Sequence, residues 1–414
     1  MSESTSILIL TTDAGSGHRT AAQALELAIT ERYGDAARVR VSNPWHHPQA
    51  PAMWRRYEEL YLDELQSAPK LYDLSYTLSE LPGVAQALSQ GVAGLLESSI
   101  QPVLDEFPAD LVISVYPLFT AAVASCCGGP RARPRLLTVV TDLGAVHRSW
   151  FTSRGDLCAV PTATARRKAI RCGLDPRIVV TTGIPVDPRF GRPRADAAAL
   201  RRELGWRPDL TALLLLGGGA GVGQLAELAQ AIDAAGLPLQ LAVVAGKNEE
   251  LAGQLRAHPW RTPTEVYGFV DLPDLMHAAD IVATKAGGLT VSEALAAGRP
   301  LLIHGNPPGQ ESGNLLHLER FGAGCWTPDA DALVSRLAQW LRDPELLRFA
   351  TTAARQIGRP DAAYHIAELG WGLAHGPPDA GRAARNGRFG PHHARRPQPQ
   401  IGQYDAEPPS AGTT

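Results

Sequence analysis

Hydrophobic positions in the first half of the chain fall into short, continuous runs that are separated by longer polar or amphipathic stretches. The runs within residues 6–185 are SILILTT, RVRVSN, ADLVISVY, RLLTVVTD, LCAVPT and IVVTTGIP. Continuous runs, unlike alternating ones, are typical of strands in a parallel sheet whose two faces are both covered by helices. The pattern therefore predicts an α/β domain built on a parallel sheet.

A second series of the same kind follows a polar, proline-containing stretch near residue 190. Its runs, within residues 211–310, are TALLLLGGGAGVG, PLQLAVVAGKNEEL, EVYGFV, ADIVATKAGG and RPLLIHGNPPGQ. Two consecutive α/β domains of this type place a ligand cleft between them. We expect the following organisation: an N-terminal domain over 1–190, a linker over 191–210, a second α/β domain over 211–350, a helical segment over 351–375 and a disordered tail rich in Gly, Pro, Arg and Gln over 376–414.

Composition narrows the class of protein. The 414 residues carry a net charge of −3, which argues against a nucleic-acid partner. The five cysteines form no C-x-x-C pair, which disfavours a disulfide framework or a structural zinc site. We see no signal peptide and no apolar run long enough to span a bilayer. The sequence therefore predicts a cytoplasmic protein.

The first glycine loop, DAGSGHRTAA, joins a predicted strand to a predicted helix and places His18 at the start of that helix. The next strand ends in VRVSN without the acidic residue that would hold a nicotinamide ribose, so dinucleotide binding is disfavoured. Two interpretations stay open. The glycines make only a tight turn, or Gly15 and Gly17 bring backbone close to a substrate and His18 serves as general base.

A second glycine loop, LLLLGGGAGVG, repeats the strand–loop–helix design but lacks the Lys-Ser/Thr ending of an ATP-binding P-loop. The stretch TKAGGLTVSEALAAGRP follows further on, with Gly298 and Pro300 as a helix stop. Thr290 and Glu293 in this stretch fit a helix capping box. The same glycine-flanked helix start also suits a diphosphate, with Glu293 chelating a ribose diol, and we favour that role.

The stretch HGNPPGQESGN places Gln310, Glu311 and Asn314 just after a predicted strand. Side chains with both donors and acceptors suit sugar hydroxyls, although an ordinary polar surface loop explains them equally well.

These motifs form an ordered set that resembles a known enzyme family. The stretches that carry the resemblance are GSGHRTAA, VVTDLGAVHRSWF, VPTATARRKAIRCGL, VVTTGIPVDPRF, LLLLGGGAGVG, YGFVDLPDLMHAADIVATKAGGLTVSEALAAGRPLLI and NPPGQESGN. Together they resemble the monogalactosyldiacylglycerol synthases and processive diacylglycerol glucosyltransferases, which are related to the late peptidoglycan N-acetylglucosaminyltransferase. The resemblance covers roughly residues 6–350.

The resemblance implies the GT-B fold, in which two Rossmann-like domains with parallel sheets face a cleft. It further implies inverting, metal-independent transfer of galactose or glucose from a UDP-sugar to a lipid, most simply diacylglycerol, with no cofactor. By the same resemblance the residues divide as follows: His18 as the base; Gly218, Gly219, Gly221, Phe269, Val270, Gly287, Gly288, Thr290 and Glu293 at UDP; Gln310 and Glu311 at the donor sugar. From their positions in the motifs we also expect Asn314 at the donor sugar and Gly17, Tyr116 and His147 on the acceptor side.

Two positions depart from the family pattern. Ser16 interrupts the usual Gly-Gly-Gly-His loop, and Tyr116 stands where a histidine is common. Asp142 and His147, in TDLGAVHRSW, are expected to support His18 or the acceptor. For Asp142 the alternative is that it merely ties a strand end. No D-x-D metal pair is visible.

A lipid acceptor requires contact with a bilayer. Residues 131–189 hold 11 Lys and Arg residues against four acids, a local charge of +7, and residues 45–76 interleave six Trp and Tyr residues with charged ones. Aromatic and cationic side chains together suit a peripheral membrane face, although the aromatic residues suit a core equally well. We therefore expect an anionic membrane surface as a partner, at the inner face of the plasma membrane.

Other functions stay open. The acceptor is alternatively a soluble natural product or a polyprenyl-linked intermediate. A UDP-sugar 2-epimerase shares the two-domain fold, and a nucleotide-sugar binding protein without catalysis would lack a use for His18.

Overall fold

The protein is described from a computed structural model. The structure describes residues 4–13, 16–54, 56, 58, 80, 82–126, 134–152, 154–217, 224–305 and 309–376. These residues divide into two compact units. The N-terminal unit contains the described residues up to 187 together with 361–376, and the C-terminal unit contains those from 188 to 360.

The N-terminal unit is built on a six-stranded sheet in the order β2-β1-β3-β4-β5-β6, with every neighbouring pair parallel. Its strands are β1 (Thr5–Leu10), β2 (Ala37–Ser42), β3 (Leu111–Ser114), β4 (Arg135–Val139), β5 (Leu157–Val160) and β6 (Val179–Thr181). Its helices are α1 (Ser16–Tyr33), α2 (Pro82–Glu106), α3 (Phe119–Cys126) and α4 (Ala163–Arg171).

Strand β1 shows why its apolar run is continuous. Ile7 and Ile9 belong to a buried cluster with helix α1, whereas Leu8 and Leu10 belong to a second cluster with helices α2 and α3. Successive side chains of a strand point to opposite faces, so both faces of this sheet are covered and both sets must be apolar.

The C-terminal unit repeats the design with a six-stranded parallel sheet in the order β12-β11-β10-β7-β8-β9. Its strands are β7 (Thr211–Leu216), β8 (Leu239–Val244), β9 (Thr264–Tyr267), β10 (Ile281–Thr284), β11 (Leu301–His304) and β12 (Gly324–Thr327). Its helices are α5 (Ala197–Glu203), α6 (Leu225–Ala234), α7 (Glu249–Ala257), α8 (Pro273–Ala278), α9 (Gly288–Ala296), α10 (Gly309–Phe321), α11 (Ala330–Arg342) and α12 (Pro344–Ile357).

The last described helix, α13 (Ala362–His375), belongs to the N-terminal unit. Ala363 and Ile366 are buried in the cluster that covers Ile7 and Ile9 of β1. The Trp371 ring stacks on Tyr33 of α1, with a centroid separation of 4.0 Å. The segment 351–375, expected as one helical stretch, is thus divided between the two units.

The predicted α/β class and parallel sheets are confirmed, and Gly298 ends helix α9 with a φ of 69° as its position suggests. Strand β12 was not predicted. The linker expected over 191–210 contains helix α5 and lies within the C-terminal unit. The tail expected over 376–414 lies outside the described residues from residue 377 onward. No helix in the described part of the chain is long and apolar enough to cross a membrane.

Candidate functional site

The turn after β1 carries His18 as the third residue of helix α1. Its ring is held by groups that follow the next two strands of the sheet. The Nδ1 atom lies 2.8 Å from the carbonyl oxygen of Val115, just after β3, and 3.1 Å from the hydroxyl oxygen of Thr141, after β4. The turn therefore aims the histidine at the carboxyl edge of the sheet, where ligands of open α/β sheets bind.

These contacts determine the tautomer of His18. A carbonyl oxygen can only accept a hydrogen bond, so Nδ1 must carry the proton that it donates to Val115. The neutral ring then presents a lone pair at Nε2, and none of the described residues hydrogen-bonds that atom. An unprotonated imidazole nitrogen with a fixed partner on the opposite side is the arrangement that a general base requires.

The surroundings of His18 keep it neutral. Tyr116 packs edge-on against the ring at 5.3 Å, and Trp150 lies 6.2 Å away. Burial lowers the pKa of His18 to about 4, although the hydrogen bond to Val115 acts in the opposite direction. At neutral pH the ring is therefore uncharged and Nε2 carries a lone pair.

Asp142 contacts Trp150, whose ring lies 6.2 Å from that of His18. Its Oδ2 atom accepts a hydrogen bond from the indole nitrogen of Trp150 at 2.6 Å. His18 is instead oriented by Val115 and Thr141, because its ring nitrogen meets the ends of the adjacent strands β3 and β4. This contact fits the interpretation of Asp142 as a tie at a strand end. Support of the base by Asp142 stays a prediction.

The three residues predicted on the acceptor side differ in how far they are buried. Tyr116 is only 8% exposed and packs in an aromatic cluster with Trp45 and Phe119. His147 precedes a short 3₁₀ helix, and its Nδ1 accepts a hydrogen bond from the backbone of Ser149 at 3.1 Å. Gly17 is half-buried in the first turn of α1. Their contacts with an acceptor stay predictions.

Two of the six aromatic residues expected at a membrane face are described by the structure, and both are buried in the core. Trp45 and Trp54 are buried and stack at 5.8 Å within the core of the N-terminal unit. For these two the core interpretation is correct, because the stacked rings fill space beside β1 and α2. Tyr57, Tyr61, Tyr72 and Tyr76 lie outside the described residues.

A polar network that the sequence did not suggest fixes the chain just before helix α1. Asp13 accepts two hydrogen bonds from Arg19, at 2.6 and 2.8 Å, and Arg19 holds the pKa of Asp13 below its usual value. The buried Glu58 accepts from the Asp13 backbone at 2.7 Å and from Asn43 at 3.0 Å, and it contacts His46 at 2.7 Å.

Asp13, His46 and Glu58 place ligand atoms within 4.8 Å of one another, a spacing that a metal ion requires. The donor set does not fit a metal, because the Arg19 cation already neutralises Asp13 and Glu58 accepts hydrogen bonds at both oxygens. The network instead ties Asp13, which follows β1, to Arg19 near the start of α1.

In the C-terminal unit the turn between β10 and α9 ends on a glycine. Gly287 is the N-cap residue of α9 and offers no side-chain cap. The capping box considered for Thr290 and Glu293 is therefore absent, because Thr290 lies inside the helix rather than at its N-cap. The first N–H groups of any helix lack partners within the helix, and they favour an anion there.

Glu293 lies one turn further along α9, on the same face as Thr290. Its side chain is buried, with 4% of the residue exposed. A buried carboxylate three residues inside the helix from Thr290 is compatible with ribose binding. That role stays a prediction.

Two residues beside this turn were missed by sequence analysis. Lys285, just after β10, donates to Glu311 of helix α10 at 3.1 Å. His304, at the end of β11, contacts the carbonyl oxygen of Leu216 at 3.2 Å. Burial lowers the pKa of His304, and the Lys285 charge acts in the same direction. Both residues could have been found from the sequence, because each is a polar residue at the end of a predicted strand.

The remaining residues predicted on the donor side differ in burial, and some of them are not described by the structure. The Asn314 amide is buried and donates to the carbonyl oxygen of Ala286 at 2.8 Å, so it positions the turn, and its contact with a sugar stays a prediction. Phe269 is 75% exposed just beyond β9, beside Val270 and 5.7 Å from Lys247 Nζ. Gly218, Gly219, Gly221 and the side chain of Gln310 lie outside the described residues.

Comparison with known proteins identifies the family. A model of monogalactosyldiacylglycerol (MGDG) synthase matches residues 18–186, and one of the glycosyltransferase family 28 C-terminal domain matches residues 212–362. A probable chloroplastic MGDG synthase of Nicotiana tabacum is 31% identical over 372 residues, which are 87% of this chain and 69% of that protein. The chain belongs to the MGDG synthase family. The enzyme of Spinacia oleracea is also 31% identical, over 87% of this chain and 71% of its own.

Solved structures support the two-domain fold of this MGDG synthase family member. MurG of Acinetobacter baumannii aligns with a TM-score of 0.55 and 16% identity, over 89% of this chain and 99% of its own. The UDP-GlcNAc 2-epimerase of Neisseria meningitidis aligns with a TM-score of 0.57 and 12% identity, over 88% and 99%. At these identities the likeness shows the GT-B fold alone. The family membership, rather than the fold, makes the protein a glycosyltransferase.

Proposed function

We propose that the protein transfers a hexose, galactose or glucose, from a UDP-sugar to diacylglycerol or a related lipid, with inversion at the anomeric carbon. The observation that carries this proposal is the neutral His18, whose Nδ1 is fixed by Val115 and whose Nε2 has no hydrogen-bond partner in the described part of the chain. Membership of the MGDG synthase family supports the substrate class. The structure of Anabaena HepE in complex with UDP, which aligns with a TM-score of 0.51, has the same fold.

In the proposed reaction the acceptor hydroxyl oxygen forms a bond to the anomeric carbon of the sugar. The bond from that carbon to the diphosphate oxygen breaks, and its electron pair leaves with UDP. The hydroxyl proton passes to Nε2 of His18, whose Nδ1–H bond to Val115 strengthens as the ring gains charge. General base assistance of this kind contributes about 10²–10⁴-fold to the rate.

The C-terminal unit would hold the donor. Backbone N–H groups from Gly288 to Thr290 would stabilise the charge that develops on the leaving diphosphate without a metal ion or cofactor. Glu293 would bind the ribose, and Phe269 with Val270 would flank the uracil. Gln310, Glu311 and Asn314 would surround the hexose, with the glycines of 218–221 on the phosphate side.

A lipid acceptor would bring the protein to the inner face of an anionic plasma membrane as a peripheral protein. Part of the +7 stretch is already engaged within the fold. Lys168 pairs with Glu80 at 2.9 Å, and Arg166 donates to the carbonyl oxygens of Val179 and Pro176. Arg167, which donates to the hydroxyl oxygen of Thr164 at 2.8 Å, and Arg171 are both exposed, and we assign these two residues to the membrane contact.

Product analysis tests the function. The purified protein is incubated with UDP-galactose or UDP-glucose and diacylglycerol, and the lipids are analysed by mass spectrometry, with the His18→Ala variant as control. Hexosyl-diacylglycerol from the wild type alone is the expected result. A hexosylated water-soluble or polyprenyl acceptor instead would change the acceptor class, and release of an epimerised sugar would contradict transfer.

A further inference from the structure

The turn that begins helix α9 carries a cation at a place where a helix does not favour one. Lys285 lies three residues before Gly288, the first residue of the helix. A Cβ built on the N-cap Gly287 would lie 3.9 Å from Lys285 Nζ and 3.8 Å from Glu311 Oε1. The lysine–glutamate pair therefore lies directly beside the start of the helix, where the helix dipole already places partial positive charge.

The backbone of this lysine is fixed while its side chain is accessible. Asn314 holds the carbonyl oxygen of the neighbouring Ala286 at 2.8 Å. The Lys285 side chain is 52% exposed, whereas that of Glu311 is 17% exposed. Among the described residues Glu311 is the one partner of the Lys285 ammonium group. A long, half-exposed side chain with a single ion-pair partner can change partner at low cost, because exposed ion pairs contribute little.

An anion at the start of α9 would compete with Glu311 for this lysine. A diphosphate there would meet the helix N–H groups and the Lys285 ammonium together, and it would meet the Glu311 carboxylate as a like charge. Burial and the charge of Lys285 both lower the pKa of the neighbouring His304, which favours its neutral form. Lys285 is then the cation that the turn offers to a phosphate.

We infer that Lys285 leaves Glu311 when a nucleoside diphosphate binds and pairs with its terminal phosphate. There it stabilises the oxygen that receives the electron pair when the sugar bond breaks. Glu311 holds the lysine when the site is empty and is released to the sugar when the site is filled. This inference rests on the proposed function, because it assigns the cation for the same UDP site.

Calorimetric titration with UDP, UMP and uridine separates the partners of this site. Lys285→Gln should weaken UDP binding by about 10–100-fold, the effect of removing a hydrogen bond to a charged group, and should weaken uridine binding less than twofold. Lys285→Arg should restore most of the UDP affinity. Arg342→Gln, on the exposed end of helix α11, is the matched loss of one positive charge and should change nothing.

The opposite effect is expected when the competing acid is neutralised. Glu311→Gln should tighten UDP binding by about three- to fivefold, because Lys285 no longer leaves an ion pair. The gain should vanish in the double variant Lys285→Gln/Glu311→Gln. A thermal melt of each variant checks that it is folded.

The outcomes separate this inference from the proposed function. If the wild type binds UDP but Lys285→Gln binds it equally well, the inference is overturned while the function stands. A Glu311→Gln gain that persists without Lys285 would also overturn it. A wild type that binds neither UDP nor UMP would contradict the proposed function itself.

Discussion

The turn from β1 into α1 and the turn from β10 into α9 are both strand–loop–helix junctions at the carboxyl edge of a parallel sheet, yet they present different groups. The first presents the imidazole of His18, which Val115 and Thr141 hold in one tautomer. The second has no capping side chain at Gly287 and presents the backbone start of a helix beside Lys285 and Glu311.

The difference follows from what surrounds each turn. His18 lies against the buried Tyr116 and Trp150, where burial keeps the ring neutral and leaves a lone pair on Nε2. The second turn has a half-exposed ammonium group and helix N–H groups, which suit it to bind an anion. The comparison teaches that the same local fold can present either an imidazole or the backbone start of a helix, according to the residue at the helix start and its neighbours.

The largest expected effect comes from removing the base. His18→Ala should lower kcat by about 10²–10⁴-fold, because the acceptor proton then has no acceptor at Nε2. UDP affinity, measured by calorimetry, should stay within about twofold, since the nucleotide is assigned to the other unit. Near-normal turnover in this variant would contradict the assignment of His18 as the base and, with it, the functional difference between the two turns.

Glu293→Gln probes the second turn in the same way. It should weaken UDP binding by about 1–3 kcal/mol, the range for hydrogen bonds to a charged group, while leaving the chemical step less affected. Because Gly287 is the N-cap, loss of a capping box cannot explain such a change. A thermal melt without UDP provides the control, and a lowered melting temperature with unchanged affinity would assign Glu293 a structural role alone.

Two variants of Asp142 test whether this residue supports the base His18 or only stabilises the fold. Asp142→Ala leaves the indole N–H of the buried Trp150 without this acceptor, which should cost about 1–3 kcal/mol of unfolding free energy in urea denaturation. Asp142→Asn keeps an acceptor oxygen and should retain most of the stability. A loss of kcat as large as that of His18→Ala in the Asn variant would show that Asp142 acts on the base after all.

The membrane contact concerns the N-terminal unit alone. Arg167→Ser with Arg171→Ser should weaken binding to anionic vesicles by about 1 kcal/mol per residue at low salt, and the effect should fade as salt rises. UDP affinity should not change. Lys168→Ser is a poor substitute because it also breaks the ion pair with Glu80. Equal co-sedimentation with neutral and anionic vesicles would contradict an electrostatic contact between the protein and the membrane.

The smallest effect is expected in the pH profile. A base acts only when it is unprotonated, so activity should be lost as the pH falls through the pKa of His18, which is about 4. Between pH 5 and 8 we expect kcat/KM to show no acid limb from this residue. An acid limb near the ordinary histidine value of about 6.5 would show that burial does not govern the ring in the working enzyme.

Much of this arrangement was predictable from local pattern. The continuous apolar runs marked the strands because both sheet faces are covered, and Gly298 marked a helix end because it adopts a positive φ. His18 stood out because a histidine at a helix start after a glycine loop has few structural uses. The family motifs added the nucleotide side.

What was not predictable depends on the order of strands in space. Val115 and Thr141 reach His18 because β3 and β4 follow β1 in the sheet, an order that local sequence does not encode. Lys285 and Glu311 meet across 26 positions of sequence for the same kind of reason. Trp45 and Trp54 looked equally suited to a membrane or a core until their stacking was visible. Strand β12 is short and contains a half-exposed tryptophan, so its pattern was weak.

The most direct test of the central claim is the anomeric configuration of the product, measured by proton NMR on the purified glycolipid. A base at His18 that acts in one displacement must invert the centre, so an α-linked UDP-hexose should give a β-hexoside. An α-hexoside would require a second displacement or a front-side route. It would contradict the assignment of His18 Nε2 as the base of a single-step transfer.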